Sequence, residues 1–483
     1  MKRVYISKHT PDQPVQALVF VSNEASIGDL SGSLLNHEMT FIESALTRHV
    51  KHFVFPRPDQ VVFVRLLETE ENASDALESA RRNGHGLLSE LKAYHLPALA
   101  LSGTVDASVL LAFAEGLALS SYAFGKYRTN ADEDAHQLAY IGIDAEQVAP
   151  EPIEELDSLV ETVFFTRDMV NEPQSHFNAI DLAEMARKLA EQYGMGIEIL
   201  EKEQIETLKM GGLLAINRAS SIPPRFCILE WKPERPCNAK PLVLVGKGVM
   251  YDTGGLSLKT PEGMETMKCD MAGAGAVMGA MAAAAYNKLG VHVIGLIPAT
   301  DNMIGERALA PGDIIRMHSG HTVEVVNTDA EGRIILADAL HFARKYDPEL
   351  VLDVATLTGA AVRALGNQAI CYMGTASRET KAALESCGWH TYERCVELPL
   401  WKEYGEELKS NVADLRNVGN GAAGMITAGK FLEHFAKFPW LHLDIAGPAY
   451  LRSANAYRPK DGTGVGVRLL YQFLKLRAQA NLQ

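Results

Sequence analysis

The 483-residue chain is poor in cysteine: it has six, and no two of them form a CxxC pair. Cysteines this sparse are typical of reduced thiols in a cytosolic protein rather than of a disulfide framework. The N-terminal stretch carries basic residues without the apolar core of about 7–15 residues that a secretory signal needs. No apolar run approaches the ~18–20 residues of a membrane-spanning helix. We therefore expect a cytoplasmic protein that has no membrane partner.

Positive charge is scarce as well. Lysine and arginine total 46 against 60 acidic residues, so the formal net charge is -14 and the pI is near 5.6. The first 150 residues hold 12 Lys and Arg against 19 Asp and Glu. An acidic chain of this kind is a poor electrostatic match for nucleic acid or for an anionic membrane.

Several sequence motifs of common enzymes are missing. No G-x-S-x-G occurs, which argues against a serine hydrolase elbow, and no GxxxxGK[ST] phosphate loop occurs. GAGAVMG (273–279) lacks the GxGxxG spacing, so we interpret its small residues as a means for a helix to pack closely. HSGH (318–321) lacks the HExxH pattern of a zinc protease and is typical of a hairpin turn between two strands.

The length and the 47% hydrophobic content predict two domains, because one ordinary core does not serve so long a chain. Residues 1–150 alternate strand-like runs, such as QALVFVSN and QVVFVRLL, with helical patterns. They predict a smaller N-terminal α/β domain. The prolines and acids of VAPEPIEELD (148–157) mark a linker or the start of a connecting helix, which we assign to 151–165.

Residues 166–483 predict a larger C-terminal α/β domain. Its short apolar runs suit strands that helices cover on both faces, and so a central, mostly parallel sheet. These runs are PLVLVG (241–246), VHVIGLI (291–297), VEVVN (323–327), LVLDVAT (350–356) and LHLDIAG (441–447).

Charged residues cluster in three segments, two of which directly follow predicted strands. KGVMYDTGGLSLK follows PLVLVG, KCDMAGAG opens a helix of small residues, and NTDAEGR follows VEVVN. In open α/β sheets, ligands gather outside the carboxyl ends of the strands. The three segments would bring to one crevice four carboxylates and three cationic groups: Asp252, Asp270, Asp329, Glu331, Lys247, Lys259 and Arg333.

Four carboxylates in one pocket repel each other, and burying them unpaired costs several kcal/mol each. Two divalent cations roughly 3.5–4 Å apart, bridged by carboxylates, would remove that cost. A lysine joins such a ligand set only when desolvation and a nearby metal lower its pKa enough to remove its proton. By itself, the DxE of NTDAEGR is equally typical of a helix N-cap with a first-turn acid. The three segments together favour a two-metal site in the C-terminal domain.

The same residues resemble the leucyl, or cytosol, aminopeptidase family of two-metal peptidases. Its signature NTDAEGR is present without change at 327–333, and VGKGVMYDTGGLSLK and KCDMAGAG are similar to its other core block. Further matches are RDMVNEP (167–173), PGD (311–313), DVATLTGA (353–360) and HLDIAGPA (442–449). The resemblance is dense over 165–483 and covers the N-terminal domain only in size and pattern.

This resemblance implies a metalloprotease, a hydrolase that removes N-terminal residues from short peptides. One metal would take Asp252, Asp329 and Glu331, and the other Lys247, Asp252, Asp270 and Glu331. The family usually carries zinc, with one site exchangeable for manganese, magnesium or cobalt. Lys259 would polarise the scissile carbonyl and stabilise the gem-diolate. Arg333 would hold a bicarbonate ion that acts as general base toward a metal-bridging water, while the free α-amine of the substrate binds the second metal.

The resemblance also implies a substrate pocket and an assembly. Met267, Thr356, Leu357 and Gly359 lie where the family shapes its first pocket, which would be medium-sized, apolar and suited to Leu or Met side chains. The family usually forms a homohexamer, a dimer of trimers whose sites face an internal cavity. The N-terminal domain would then serve assembly or regulation.

Three positions depart from the family pattern. Tyr251 stands for a phenylalanine, Ala272 for a glycine, and Cys269 is the neighbour of Asp270. Neighbours on an extended backbone point to opposite sides, so we expect Cys269 to be a buried structural thiol. None of the three replaces a ligand.

Two other functions compete with the peptidase interpretation. Some bacterial relatives also act as DNA-binding accessory factors, but the acidic N-terminal domain argues against that role here. An inactive member kept for assembly is the second alternative, and the unbroken ligand set argues against it.

Overall fold

A computed structural model describes residues 3–10, 14–129, 138–144, 146 and 148–480. The chain divides into two compact units. The first comprises residues 1–164 together with 453–460, and the second comprises residues 165–452 together with 461–483. The division at Phe164 falls inside a helix, and the return of 453–460 to the first unit has no counterpart in the divisions expected from the sequence.

The first unit is built on a six-stranded sheet. Its described elements are β1 (Tyr5–His9), β2 (Ala17–Asn23), α1 (Asn36–Leu46), β3 (His52–Pro56), β4 (Val61–Leu67), α2 (Ala73–Ala93), β5 (Ala98–Gly103), α3 (Ala107–Ser120) and β6 (Tyr140–Asp144). The strand order is β1-β6-β5-β2-β4-β3, and every pair is parallel except β3 with β4. The apolar runs predicted as strands form β2 and β4.

Two glycines bring α2 and α3 into close contact. A Cβ on Gly84 would lie 2.1 Å from the Phe113 carbonyl oxygen, and one on Gly116 would lie 2.0 Å from that of Arg81. Any larger residue at either position would force the two helices apart. The hydroxyl of Tyr457, from the returning segment, donates to the buried carboxylate of Glu78 on α2 at 2.7 Å.

The helix α4 (Pro150–Asn171) contains residues 151–165. Its two prolines, Pro150 and Pro152, lie in the first turn, where a missing N–H breaks no intrahelical bond. Of the two readings left open for this stretch, a linker or the start of a helix, the structure has the helix.

The second unit carries the larger sheet. Its first described elements are α5 (Ala179–Tyr193), β7 (Gly196–Leu200), α6 (Lys202–Thr207), α7 (Gly211–Asn217), β8 (Arg225–Trp231), β9 (Leu242–Gly246), β10 (Gly248–Asp252), α8 (Pro261–Met264), α9 (Ala272–Tyr286), β11 (Val293–Asn302), β12 (Ile314–Arg316) and β13 (Thr322–Glu324). The remainder are α10 (Glu331–Ala343), β14 (Leu350–Ala355), α11 (Gly359–Leu365), β15 (Ile370–Gly374), α12 (Arg378–Thr391), β16 (Cys395–Glu397), α13 (Glu403–Glu406), β17 (Leu415–Arg416), α14 (Gly424–Glu433), β18 (Trp440–Asp444), β19 (Tyr450–Leu451), β20 (Asp461–Gly462) and α15 (Val467–Ala480).

The sheet of this unit has nine strands in the order β16-β15-β18-β14-β9-β11-β8-β7, with β10 added alongside β11. Its centre, β18-β14-β9-β11, is parallel, and antiparallel strands flank it on both sides. Buried apolar clusters cover both faces, which explains why the central strands are continuous apolar runs. The α/β fold class is confirmed. Among the described helices, none combines the length and apolarity needed to traverse a bilayer.

The small residues of α9 let this helix lie directly on the sheet. A Cβ on Gly273 would approach the Val354 carbonyl oxygen of β14 to 2.1 Å. This contact supports the interpretation of GAGAVMG as a packing feature.

The prediction for VEVVN (323–327) was wrong in part. The strand β13 ends at Glu324 and belongs to a separate three-stranded sheet, β12-β13-β17. Beyond it, the amide groups of Val326 and Asn327 donate to the side-chain oxygen of Asn417 instead of to a neighbouring strand. The hairpin predicted for HSGH is confirmed, since β12 and β13 are antiparallel and the Met317 amide donates to the His321 carbonyl at 2.9 Å.

Candidate metal centre

Elements at one end of the central sheet carry the charged residues singled out above. Lys247 follows β9 directly, and Asp252 ends β10. Asp270 lies in a 3₁₀ turn (Met267–Met271) that leads into α9. Glu331 is the first residue of α10, where a carboxylate interacts favourably with the helix dipole.

The Lys247 ammonium lies between two carboxylates. Its Nζ is 2.7 Å from Asp270 Oδ1 and 2.9 Å from Glu331 Oε1, and it donates to the Thr356 carbonyl at 2.9 Å. All three charged side chains are buried. The amine and both acids therefore meet without water between them.

Lys259 makes a second bridge of the same kind. Its Nζ is 2.7 Å from Asp252 Oδ2 and 2.6 Å from Asp329 Oδ1. One oxygen each from Asp252, Asp329 and Glu331 lies within 4.8 Å of the others. Asp329 is the most exposed of the four carboxylates, with 33% of its side chain open to solvent, and 16% of the Lys259 side chain is exposed beside it. The four predicted carboxylates and the two lysines thus form one contiguous cluster.

The loop that carries Lys259 is fastened to the NTDAEGR segment. The Thr328 hydroxyl donates to the Gly254 carbonyl at 2.6 Å and accepts from the Ser257 amide at 2.8 Å. The Ser257 hydroxyl in turn accepts from the Thr328 amide at 3.1 Å. Gly254 has φ +85°, and a Cβ there would lie 2.9 Å from Asp329 Oδ1. Glycine is therefore required on both conformational and steric grounds.

Gly332 has a steric role at the start of α10. A Cβ at this position would lie 2.5 Å from Cε and 2.8 Å from Nζ of Lys247. No side chain fits between the helix and the lysine. The glycine of NTDAEGR is thus explained by the space that Lys247 occupies.

The charges of the cluster perturb one another strongly. Burial and the Glu331 carboxylate raise the pKa of Asp252 to about 6, and burial raises that of Asp270 well above its usual range, in spite of the nearby lysines. Burial also acts to raise the pKa of Glu331, but Lys247 and Lys259 together lower it. Burial acts to lower the pKa of Lys247, but the surrounding acids, Asp270 first, raise it overall. Without a metal, the lysines are protonated and act as the counterions.

Three buried oxygens in the cluster have no hydrogen-bond partner of good geometry among the described residues, and one of them, Asp329 Oδ1, is instead ion-paired with Lys259 Nζ at 2.6 Å. The other two are Oδ2 of Asp270 and Oε2 of Glu331. A buried carboxylate oxygen without a donor is costly, and a divalent cation is the group that oxygen donors of this kind accept best. The donor set of four carboxylates and the Lys247 amine therefore fits the two metal ions expected from the sequence.

Arg333 is buried on the first turn of α10, two residues after Glu331, and lacks a carboxylate within ion-pair distance in the described part of the chain. Its NH1 donates to the Asn417 carbonyl at 2.9 Å, while its Nε has no partner among the described residues. Burial lowers the pKa of Arg333 to about 10. A buried guanidinium with a spare donor is suited to a small anion.

The residues predicted to shape a pocket lie on three segments, and one of them contacts Asp270. The Thr356 hydroxyl donates to Asp270 Oδ1 at 2.8 Å, and the Leu357 amide donates to Asp444 Oδ1 at 3.1 Å. Met267 opens the 3₁₀ turn that holds Asp270, and Gly359 opens α11. Thr356 therefore contacts a predicted ligand directly.

Three buried residues that support the cluster were missed in the sequence. Asn302 donates to Asp252, Asn417 contacts both Arg333 and the NTDAEGR segment, and Asp444 accepts from the Leu357 amide and the Thr358 hydroxyl. Asn302 and Asp444 are the last residues of β11 and β18. A polar residue that ends an apolar strand was the available signal for these two, and nothing local singled out Asn417.

The three departures from the family pattern leave the ligands intact. The Tyr251 hydroxyl donates to the Met264 carbonyl at 3.2 Å, and Ala272 is buried at the start of α9. Cys269 packs in the hydrophobic core, and burial raises the pKa of its thiol to about 12. This placement agrees with the expected structural thiol.

Comparison with known families shows the family to which this chain belongs. The model of the cytosol aminopeptidase family, catalytic domain, matches residues 164–471. This chain belongs to the cytosol aminopeptidase family. It is 44% identical over 424 residues to a probable cytosol aminopeptidase of Geotalea uraniireducens (strain Rf4), a match that covers 86% of this chain and 85% of the relative. A probable cytosol aminopeptidase of Geobacter sulfurreducens is 45% identical over 371 residues, or 75% of this chain and 74% of the relative.

Solved structures show the same fold. The bottromycin maturation enzyme BotP in complex with Mn superposes with a TM-score of 0.83 at 30% identity, covering 96% of this chain and all of BotP (100%). The cytosol aminopeptidase from Coxiella burnetii gives a TM-score of 0.82 at 29% identity over 97% of this chain and 98% of that one. As a member of the family, the chain is a metal-dependent aminopeptidase, a hydrolase that acts on peptides at a dinuclear centre.

Proposed function

We propose that this aminopeptidase removes N-terminal residues, with a preference for Leu and similar apolar side chains, at a two-metal centre held by five side chains. One metal site would consist of Asp252, Asp329 and Glu331, and the other of Lys247, Asp252, Asp270 and Glu331. The observation that carries this proposal is the convergence of these five residues, with two buried oxygens left without donors.

The proposed metals are zinc, manganese or both, with magnesium or cobalt possible at an exchangeable site. Four carboxylates suit manganese and magnesium, and the lysine amine adds a nitrogen ligand that zinc also accepts. Bound metal ions supply Lewis acidity and a nucleophilic water at neutral pH.

Lys259 is proposed as the electrophile. Its ammonium is held between Asp252 and Asp329, at the partly open side of the cluster, so a carbonyl oxygen of the substrate can accept a hydrogen bond from Nζ. Charge that develops on that oxygen in the transition state is then stabilised by a donor already in place.

Arg333 is proposed to hold a bicarbonate ion that serves as general base. The support is its burial, the absence of an ion-pair partner among the described residues and its spare Nε–H. Asn417 fixes the guanidinium through its carbonyl oxygen, so an anion bound there would keep a constant position relative to Glu331.

The first substrate pocket is assigned to Met267, Thr356, Leu357 and Gly359. With the Thr356 hydroxyl bound to Asp270, the atoms left to face a substrate are mainly apolar. A medium-sized apolar side chain would gain most from such a lining, whereas a charged one would lose its hydration.

The test is hydrolysis of leucine p-nitroanilide by the chelator-treated protein, before and after addition of zinc or manganese. We expect no release of chromophore without metal and recovery with it. Lysine and glutamate p-nitroanilides, measured in parallel, should have a lower kcat/KM. Release that is unaffected by chelator and by metal would overturn the proposal, and equal rates on all three substrates would overturn the preference alone.

The assembly is proposed to be a homohexamer in the cytoplasm, with residues 1–150 serving assembly or regulation and 166–483 catalysis. The support is the family membership. Light scattering of the purified protein at micromolar concentration should give about six times the 52.7 kDa chain mass, and a monomer would contradict it.

A further inference from the structure

Asn302 connects two of the segments that carry ligands. It is the last residue of β11, and the parallel ladder with β10 places it beside Asp252. Its side-chain nitrogen donates to Asp252 Oδ1 at 2.7 Å and to the Thr328 carbonyl oxygen at 3.1 Å. The residue is 4% exposed, so both bonds form away from water.

The Thr328 carbonyl belongs to the peptide unit that leads into Asp329. The other end of that unit is also held, because the Asp329 amide donates to Asn327 Oδ1 at 2.8 Å. The orientation of this peptide, and with it the direction of the Asp329 side chain, therefore depends on Asn302 at one end and Asn327 at the other.

A carboxamide is the one common side chain that meets these demands without adding charge. Its NH₂ group offers two hydrogens from a single atom, and here each goes to a different ligand segment. An aspartate of the same shape would place a carboxylate oxygen against Asp252 Oδ1 and the Thr328 carbonyl oxygen, and none of these three atoms can donate a hydrogen bond. An apolar residue would leave a buried carboxylate oxygen and a buried carbonyl with fewer donors.

We propose that Asn302 is a positioning residue that fixes the separation of Asp252 and Asp329 and thereby sets the affinity of the centre for metal. This inference rests on the proposed function, in which both aspartates are ligands. Hydrogen-bond partners that orient metal ligands typically account for about 10- to 100-fold in metal affinity.

The chain offers a matched control in Asn217. Its side-chain nitrogen also makes two bonds, to the Ile222 carbonyl at 2.8 Å and to Thr300 Oγ1 at 3.1 Å. It is likewise buried and meets the same strand two residues before Asn302, but none of its partners is a predicted ligand. Asn217→Ala therefore removes an equivalent buried amide without touching the centre.

The experiment measures manganese and zinc affinity of the full chain by competition with a chromophoric chelator, for the wild type, Asn302→Ala and Asn217→Ala. The melting temperature of each metal-free protein is recorded alongside. We expect Asn302→Ala to bind metal about 10- to 100-fold more weakly. Asn217→Ala should keep the wild-type affinity even if its metal-free melting temperature falls.

Asn302→Ser provides a smaller change should the alanine variant fold poorly, because one short hydroxyl cannot serve both acceptors. Wild-type metal affinity in either folded Asn302 variant, or an equal loss in Asn217→Ala, would overturn the inference. A wild-type protein that binds no metal would instead overturn the proposed function. The two failures are therefore distinguishable.

Discussion

The two units of this protein bury acidic groups under opposite conditions. In the first unit, Glu38 is 1% exposed, and Arg57 donates to both of its oxygens, at 2.9 and 2.6 Å. Burial acts to raise the pKa of Glu38, but these bonds and the Leu35 amide lower it overall. In the second unit, burial and Glu331 raise the pKa of Asp252 to about 6 although two lysines are near.

The difference lies in what surrounds each carboxylate. Glu38 is paired with Arg57 and accepts a hydrogen bond from the Leu35 amide, so its negative charge is compensated within the fold. Asp252 shares two lysines with three other acids, and two oxygens of the cluster have no donor in the described chain. A buried acid with a basic partner of its own contributes to stability. Buried acids that outnumber the basic groups around them are typical of a cation-binding site.

The largest expected effect is the loss of metal and activity when a carboxylate of the second unit, but not one of the first, is replaced. Glu331→Ala should lose bound metal and nearly all turnover, since the carboxylate is proposed to belong to both metal sites. The Glu38→Gln variant, which serves as the control from the first unit, should retain the wild-type metal content and turnover. Metal content by elemental analysis and turnover of leucine p-nitroanilide measure both. Wild-type-like turnover in Glu331→Ala would show the ligand assignment to be wrong.

A smaller loss is expected when the electrophile alone is removed. Lys259→Met should lower kcat by about 10²- to 10³-fold, the usual effect of deleting one donor to a developing oxyanion. Metal content should be retained, because the four carboxylates remain and a competing cation has gone. Equal losses of metal and kcat would assign Lys259 to metal binding instead.

Metal uptake should depend on pH in the direction set by Lys247. The surrounding acids raise the pKa of its ammonium in the metal-free chain, so a metal that binds Nζ must displace a proton. Apparent affinity should therefore rise with pH, by up to about tenfold per pH unit for one proton released. Calorimetry in buffers of different ionisation enthalpy counts that proton, and a count of zero would exclude Lys247 as a ligand.

The smallest effect concerns stability, and here the two units should differ in sign. Asp252 has a raised pKa when folded. Its contribution to the stability of the metal-free fold is complete below the unfolded pKa of 3.8, where the acid is neutral in both states, and is lost as pH rises through the folded value of about 6. Glu38 has a lowered pKa when folded, so its contribution is complete above the unfolded value of 4.5 and is lost as pH falls through the folded one.

Asp252→Asn should accordingly stabilise the chelated protein at pH 7, on the order of 1 kcal/mol, and Glu38→Gln should destabilise it. Hydrogen exchange, read separately at β10 and at α1, measures each local effect. The same sign for both variants would remove the contrast between the units.

The parts of this molecule that the sequence predicts are those with local signals. β9, β11, β14 and β18 are continuous apolar runs because helices cover both faces of the sheet, and Lys247, Asp252 and Lys259 stand out because they follow one of these runs. The charged residues of NTDAEGR stand out because they follow the apolar run VEVVN, and Asp270 because it opens a helix of small residues. Asn417 escapes notice because nothing local marks it. Asn302 has one local signal, its position at the polar end of an apolar strand, but the partners that make both residues important lie 26 to 91 residues away. The end of β13 at Glu324 was missed for the same reason. Beyond it, the distant Asn417 side chain accepts the hydrogen bonds from Val326 and Asn327 that a neighbouring strand would otherwise accept.

Gly332 lies between Glu331 and Arg333 on the first turn of α10 and presses against the side chain of Lys247. Glu331 and Arg333 thus belong to α10, and Lys247 packs directly against it. Any movement of this helix would therefore shift all three charged groups together. Lys259 belongs to a different element, the loop that is held by hydrogen bonds to the Thr328 hydroxyl. Substitutions in that loop that spare Gly254, where a Cβ would meet Asp329, would therefore move the proposed electrophile and not the Lys247–Glu331 pair.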